Sequence, residues 1–249
     1  MKDPAGKNEE TWTPVRARSS SSQIVNQICD ALFAGEISSG QFLGSEAELA
    51  EQFGVSRFPA RDALRTLEAL GVIEIRMGAE GGAFVAKGNP HLFARALAIQ
   101  LQLVGLTYGE IFDAQKAVES FAAELAARQA TEEDLALISD ILDEMAGLVD
   151  QPDKFFDRSL SFHIAISKAS QSRVLVAQLE MIGQLLVPEF KRFANKQKDN
   201  VLQRHRELFE HIKNGEGDKA RAHVCDHIDA VRAHFSKADL NRRAAVEKK

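Results

Sequence analysis

Two cysteines, Cys29 and Cys225, are all that this chain of 249 residues carries, and they stand far apart without CxxC spacing. Neither a thiolate metal site nor a disulfide framework is suggested, and each thiol is expected as a small buried apolar group. Long apolar runs are missing too. The most apolar stretch, residues 92–106, is broken by Arg95, Gln100 and Gln102, so no membrane span is expected. Nor is there an excess of positive charge: the net charge is -5 and the pI near 5.8. General coating of nucleic acid is disfavoured, because non-specific affinity is built from many cation–phosphate contacts. A local basic face stays open. HExxH, a nucleophile motif, a phosphate loop and internal repeats are all absent. Residues 1–20 are polar and carry Lys2, Lys7, Arg16 and Arg18 around a stranded Trp12, without the apolar core of a signal peptide. They read as a flexible arm of a cytoplasmic protein.

What is present is concentrated in Gly44–Gly71. Leu49, Ala50 and Phe53 give a first short helix its apolar side, and Gly54 stops it. Ser56 is a candidate N-cap for a second helix over about 57–70, with Pro59 in its first turn, where a missing N–H costs little. Ala60, Ala63, Leu64, Leu67 and Leu70 form its inward stripe, while Arg57, Arg61 and Arg65, spaced by four, line up on an outer face. Charge rows are often mere solvation. Here they sit in helix-turn-helix grammar, and arginine pairs in a bidentate way with guanine or phosphate. A supporting helix over 22–33 precedes them. Short strands over 72–76 and 83–85, joined by Gly78–Gly82, follow as a hairpin wing whose glycines let backbone approach a groove wall closely.

The run from Ile24 to Val85, with its Ser-Glu pair, Gly-Val-Ser-Arg, Pro, Arg-x-Ala-Leu-Arg and Gly-rich wing, resembles the head of GntR-family transcription regulators. The resemblance implies DNA contacts from Ser45, Ser56, Arg57, Arg61, Arg65 and Gly78. Gly44 and Ala47 depart from the pattern, which usually has Pro and often Arg there, and this thins the phosphate contacts.

Beyond Gly88-Asn89-Pro90 the periodicity is helical throughout. Helices are expected near 91–104, 108–130, 132–149, 154–169, 173–196, 201–213 and 219–238. Thr107 with Glu110 forms a capping box, Thr131 and Asp218 act as caps, and Pro188 kinks or interrupts the fifth helix. The fold class is mainly α: a winged helix-turn-helix of three helices and a β-hairpin, then an all-α antiparallel bundle. The divisions are an arm (1–20), a DNA-binding head (21–88), an effector and dimerisation domain (89–238) and a basic tail (239–249).

The second domain resembles the FCD effector domains of the FadR-like branch, on Val118-Glu119, Ala122 to Ala127, Phe162-His163, His205, Gly217-Asp218 and His227. The resemblance implies a divalent metal, zinc or nickel, on His163, His205 and His227, with a small carboxylate effector beside it. Imidazoles suit such metals, and three protein ligands with an open position form a workable set. A single histidine is more often a hydrogen-bonded core residue, the role assigned to His211, His223 and His234, although His223 lies one turn from His227 and is a substitute ligand. Two departures matter. Where the pattern has an Asp ligand one turn before the first His, this chain has Ser159, and Asp157 is turned off that face. Where it commonly has an effector-clamping Arg, this chain has Gln115, which removes a bidentate anion contact. Gln115 and Ser159 therefore stand as the effector-side positions.

These features imply a homodimeric, effector-controlled transcriptional regulator, a repressor by preference, on a near-palindromic operator. The alternatives are a metal-dependent enzyme at the three histidines, or a regulator whose effector pocket no longer functions.

Overall fold

The computed structural model describes residues 19–78, 81–193 and 198–233, the stretches 187–193 and 198–199 by their backbone alone. Trp12, His234 and the expected tail lie outside the described residues, as does the expected arm up to residue 18. The chain forms two compact units that divide between Asn89 and Pro90.

In the first unit, α1 (Ser20–Phe33) starts two residues earlier than expected, because the Ser19 hydroxyl accepts the Ser22 N–H at 3.2 Å. The pair α2 (Glu46–Gln52) and α3 (Arg57–Ala69) forms the helix-turn-helix. A capping box starts α2: Ser45 Oγ accepts from Glu48 N, and Glu48 returns a carboxylate to Ser45 N at 2.7 Å. Ile24, Ile28, Leu49, Ala63, Leu64, Leu67, Ile73 and Ala83 close one core beneath the three helices. The stripe expected on α3 is thus the packed one, except that Leu70 at its C-cap is exposed.

The wing strands β2 (Ile73–Arg76) and β3 (Gly82–Val85) pair antiparallel with Arg76 opposite Gly82. A third strand, β1 (Phe42–Gly44), joins the other edge of β3, so the sheet order is β1-β3-β2. At three residues β1 is too short to show a period of two. Its pairing is reinforced by Phe42 and Phe84, whose ring centroids are 5.0 Å apart. Gly82 has φ +146, and a Cβ there would stand 2.6 Å from the Phe42 ring and 2.9 Å from the Gly44 carbonyl oxygen. Only glycine fits.

The second unit is all helix: α4 (Pro90–Val104), α5 (Tyr108–Gln129), α6 (Glu132–Ala146), α7 (Pro152–Ala169), α8 (Arg173–Phe193), α9 (Lys198–Lys213) and α10 (Gly217–Arg232). Helix α5 lies against α7, α8, α9 and α10, so its residues are the ones most enclosed. Phe112, Phe155, Phe162, Ile138, Met145, Leu208, Ile212 and Ile228 fill the core between them. Buried Glu124 of α5 ties the bundle to α10, taking Arg221 at 2.8 Å as well as Arg128 of its own helix at 2.6 Å.

Three local expectations change. Helix α8 runs through Pro188 without interruption, since one missing N–H does not end a helix held by its neighbours. The last helix begins at Gly217 with Glu216 as N-cap, leaving Asp218 in the first turn, where it faces the positive end of the helix dipole. Cys29 and Cys225 are free and only half-buried, and partial burial pushes the Cys29 thiol up.

Candidate DNA interface and three-histidine centre

Arg57, Arg61 and Arg65 all project into solvent from α3. They are not equivalent. Glu46, the first residue of α2, closes the fork of Arg61 with two hydrogen bonds, Nε to Oε2 at 2.7 Å and Nη2 to Oε1 at 2.9 Å. The hydrogen bond from Arg61, aided by the charges of Arg57 and Arg65, holds the Glu46 carboxyl below its usual range. One carboxylate therefore sits among three guanidiniums.

Ser56 occupies the N-cap position of α3, but its hydroxyl makes no capping bond. Its exposed hydroxyl is therefore left out of the cap it was expected to form. Ser45 is the converse: its hydroxyl and its N–H both serve the α2 capping box, and the N–H and then the hydroxyl hold the Glu48 carboxyl below its usual range. Gly78 ends the described part of the wing at φ +111 with open space where a Cβ would be, beside Met77, which is 92 % exposed. Arg76 lies over the Phe84 ring at 4.0 Å, which anchors its stem side of the wing. One residue escaped the sequence reading. Phe58, in the first turn of α3 between Arg57 and Arg61, is 81 % exposed. An apolar residue off the inward stripe and flanked by cations was the available signal.

In the second unit, His163 of α7, His205 of α9 and His227 of α10 converge, with one nitrogen from each lying within 4.8 Å of the others. The convergence follows from the packing of all three helices around α5. Phe162 stacks on His205 at 4.4 Å between centroids, and His163 and His227 meet His205 edge-on at 4.8 and 5.0 Å. Burial, followed by the neighbouring histidines, holds His205 well below its ordinary pKa, and burial lowers His227 to about 3. Both are neutral imidazoles with lone pairs to give. Neither nitrogen of His205 has a hydrogen-bond partner, and His227 Nδ1 has none. Buried polar atoms are almost always paired. Unsatisfied nitrogens on two of three converging histidines fit a metal ion as the missing partner.

His223 is not in the cluster. It faces His211 at 5.7 Å between centroids, and His211 Nδ1 contacts Glu216 Oε2 at 2.7 Å, so the pair forms a separate group. Ser159 is buried on α7 one turn before His163 and brings no carboxylate. Gln115, also buried, spends its amide on Glu119: Nε2 donates to Oε1 at 2.8 Å. A cavity of about 310 Å³ opens on His227 and is lined by Asn200, Val201, Arg204, Ala230, Val231 and Ala233. Neither Gln115 nor Ser159 lines it. Arg204 directly precedes His205, but nothing in its sequence context sets it apart from Arg206 on the other side of that histidine.

Comparison with known proteins adds to this geometry. The pattern described as "Bacterial regulatory proteins, gntR family" matches residues 20–85, and that of the FCD domain matches residues 110–230. The HTH-type transcriptional regulator LutR of Bacillus subtilis is 28 % identical over 204 residues, covering 79 % of this chain and 92 % of that protein. The galactonate operon transcriptional repressor of Escherichia coli is 29 % identical over 205 residues, covering 80 % and 89 %. Among solved structures, that of Streptococcus agalactiae GntR covers 86 % of this chain and all of that one with a TM-score of 0.62 at 23 % identity, a likeness of fold.

Proposed function

Because the chain belongs to the GntR family of bacterial regulatory proteins, with an FCD domain behind its DNA-binding head, we infer that it is a homodimeric repressor released from its operator by a small carboxylate. That it is a DNA-binding transcriptional regulator and not an enzyme follows from membership and from the functions of its relatives. The observation that carries the finer reading is the exposed row of Arg57, Arg61 and Arg65 on α3, in a chain whose second unit brings three histidines together, two of them with unsatisfied ring nitrogens.

On the DNA side, α3 enters the major groove, with Arg57, Arg61 and Arg65 on bases or phosphates. The hydroxyls of Ser45 and Ser56 go to phosphates, and Gly78 with the adjoining wing backbone to the groove wall. Two heads related by a two-fold axis require a near-palindrome with half-sites roughly one turn apart. Dimerisation is supported by α4, whose Leu92, Phe93, Leu97, Leu103 and Val104 are exposed; a contiguous apolar face of this kind is a protein-interaction surface.

On the effector side, His163, His205 and His227 hold zinc or nickel, which when bound supplies a Lewis-acidic site for a carboxylate oxygen. The cavity beside His227 is of small-molecule size. Arg204 in its wall provides the anion contact that Gln115 does not. The effector releases DNA by binding more tightly to an arrangement of heads that does not match the operator, since equal affinity for both arrangements shifts nothing. The galactonate relative is a transcriptional repressor, which supports repression here. No helix among the described residues is long and apolar enough to cross a membrane.

The test is a mobility shift on DNA from upstream of the protein's own gene, with excess competitor DNA, followed by random-sequence selection. A specific, salt-sensitive complex that dissociates on addition of a small carboxylate is expected. Failure to select any sequence overturns the operator reading, and a complex indifferent to a panel of carboxylates leaves a regulator with a non-functional pocket.

A further inference from the structure

One side chain of α3 serves neither the core nor the charge row. Phe58, the second residue of the helix, is 81 % exposed. Its position dictates this. At about 100° per residue, Phe58 lies roughly 170° around the axis from the middle of the buried stripe formed by Ala60, Ala63, Leu64 and Leu67. The same rotation sets it about 60° from Arg61 and about 20° from Arg65, on the outer face that the arginines share. A ring held in water keeps an apolar area whose burial on binding is favourable. Among guanidiniums, it meets whatever they meet. Their charge selects a polyanion over an apolar protein surface, which would desolvate them without giving them partners.

The floor of the major groove is polar except at one group. Each base pair presents donors and acceptors there, and the apolar exception is the C5 methyl of thymine. In a helix-turn-helix the N-terminal residues of the second helix are those that reach base edges. We propose that Phe58 packs on a pyrimidine C5 methyl in each half-site, so that operator affinity depends on that methyl whether thymine or 5-methylcytosine carries it. The inference rests on α3 entering the major groove and goes beyond it, because it assigns one position of the half-site to a 5-methylpyrimidine. A cytosine at that position becomes a better contact once methylated, and the protein tells the two states of the base apart without a charged or hydrogen-bonding group.

Fluorescence anisotropy of the full-length protein tests this on duplexes built from the selected operator, each pyrimidine in turn presented as thymine, uracil, 5-methylcytosine and cytosine. Thymine and uracil differ by the methyl alone, as do 5-methylcytosine and cytosine. At one position per half-site wild type prefers the methylated member of each pair by about fourfold, the burial of one carbon, and by roughly 15-fold when both half-sites are changed. In Phe58→Ala both preferences vanish, while affinity for scrambled duplex is unchanged. Phe58→Leu, which stays apolar, keeps part of each. A merely structural role for the ring lowers affinity for every duplex alike and leaves the preferences standing, which overturns the proposal. A preference confined to one of the two pairs also overturns it. Wild type indifferent to the methyl at every position, with Arg57→Ala still losing operator affinity, overturns it while DNA recognition by α3 stands. Absence of a specific complex overturns both.

Discussion

Neutralising Glu46 should make the protein a tighter and less discriminating DNA binder. In the free protein this carboxylate closes the fork of Arg61 with bonds of 2.7 and 2.9 Å and stands within the field of Arg57 and Arg65. Its pKa is lowered, so it is ionised throughout the neutral range and stands as a fixed negative charge beside the arginines proposed to face DNA. Docking on phosphates either breaks the Arg61 pair or brings Glu46 toward the backbone; both subtract one cation from the contact. Glu46→Gln keeps the shape and removes the subtraction. Each additional phosphate neutralised steepens the slope of log affinity against log salt by roughly 0.9, about 1.8 for two heads. Between 50 and 200 mM salt the variant should therefore lose roughly 12-fold more affinity than wild type, starting from tighter binding at the low end. Fluorescence anisotropy on operator and on scrambled duplexes measures both slopes. Non-specific affinity should rise the more, because there the electrostatic contribution is essentially all there is. Identical salt slopes for wild type and variant would refute the reasoning and place the Glu46–Arg61 pair away from the DNA.

Other outcomes follow from single contacts. Phe58, exposed between two arginines, has the chemistry to meet a thymine methyl in the major groove. Replacing operator thymines one at a time by uracil should weaken wild type several-fold at one position and Phe58→Ala not at all; equal sensitivity of the two proteins counts against that contact. Arg61→Ala should cost roughly 5- to 150-fold in operator affinity if the freed guanidinium reads a base, and wild-type affinity would remove it from the interface. Gly82→Ala forces a Cβ into Phe42 and the Gly44 carbonyl at a φ of +146, at a cost of roughly 1–3 kcal/mol. In a head of this size that lowers the melting temperature by several degrees per kcal/mol; calorimetry showing an unchanged head transition would mean that β1 does not pin the wing. His205→Ala should keep operator binding and abolish the response to effector, and retained sensitivity in mobility shifts would exclude the histidine pocket.

The head was legible because its signals are local. A four-residue spacing of arginines, an apolar stripe on α3 and glycines at turns each act within one or two turns of chain, and each recurs in the structure where the residues imply it. Strand β1 was not legible: three residues carry no period, and they are extended only because β3 offers an edge and Phe84 a ring. Ser56 shows the limit of a local rule, since its position at the cap does not oblige its hydroxyl to make the bond. Nothing in the segment around Glu46 reveals that Arg61, fifteen residues on, closes upon it.

The same division runs through the second unit. Composition and periodicity alone determined an all-α domain, and family resemblance singled out His163, His205 and His227, because amphipathic spacing and residue type are properties of one strand of chain. Which atoms meet was decided only by tertiary packing. Helices α7, α9 and α10 close on α5 to bury the core, and that closure leaves nitrogens of His205 and His227 without partners and sets Glu119 beside His163. Sequence spacing sees one helix at a time, so nothing around Glu119 reveals that its carboxylate stands 2.8 Å from His163 Nδ1 on another helix.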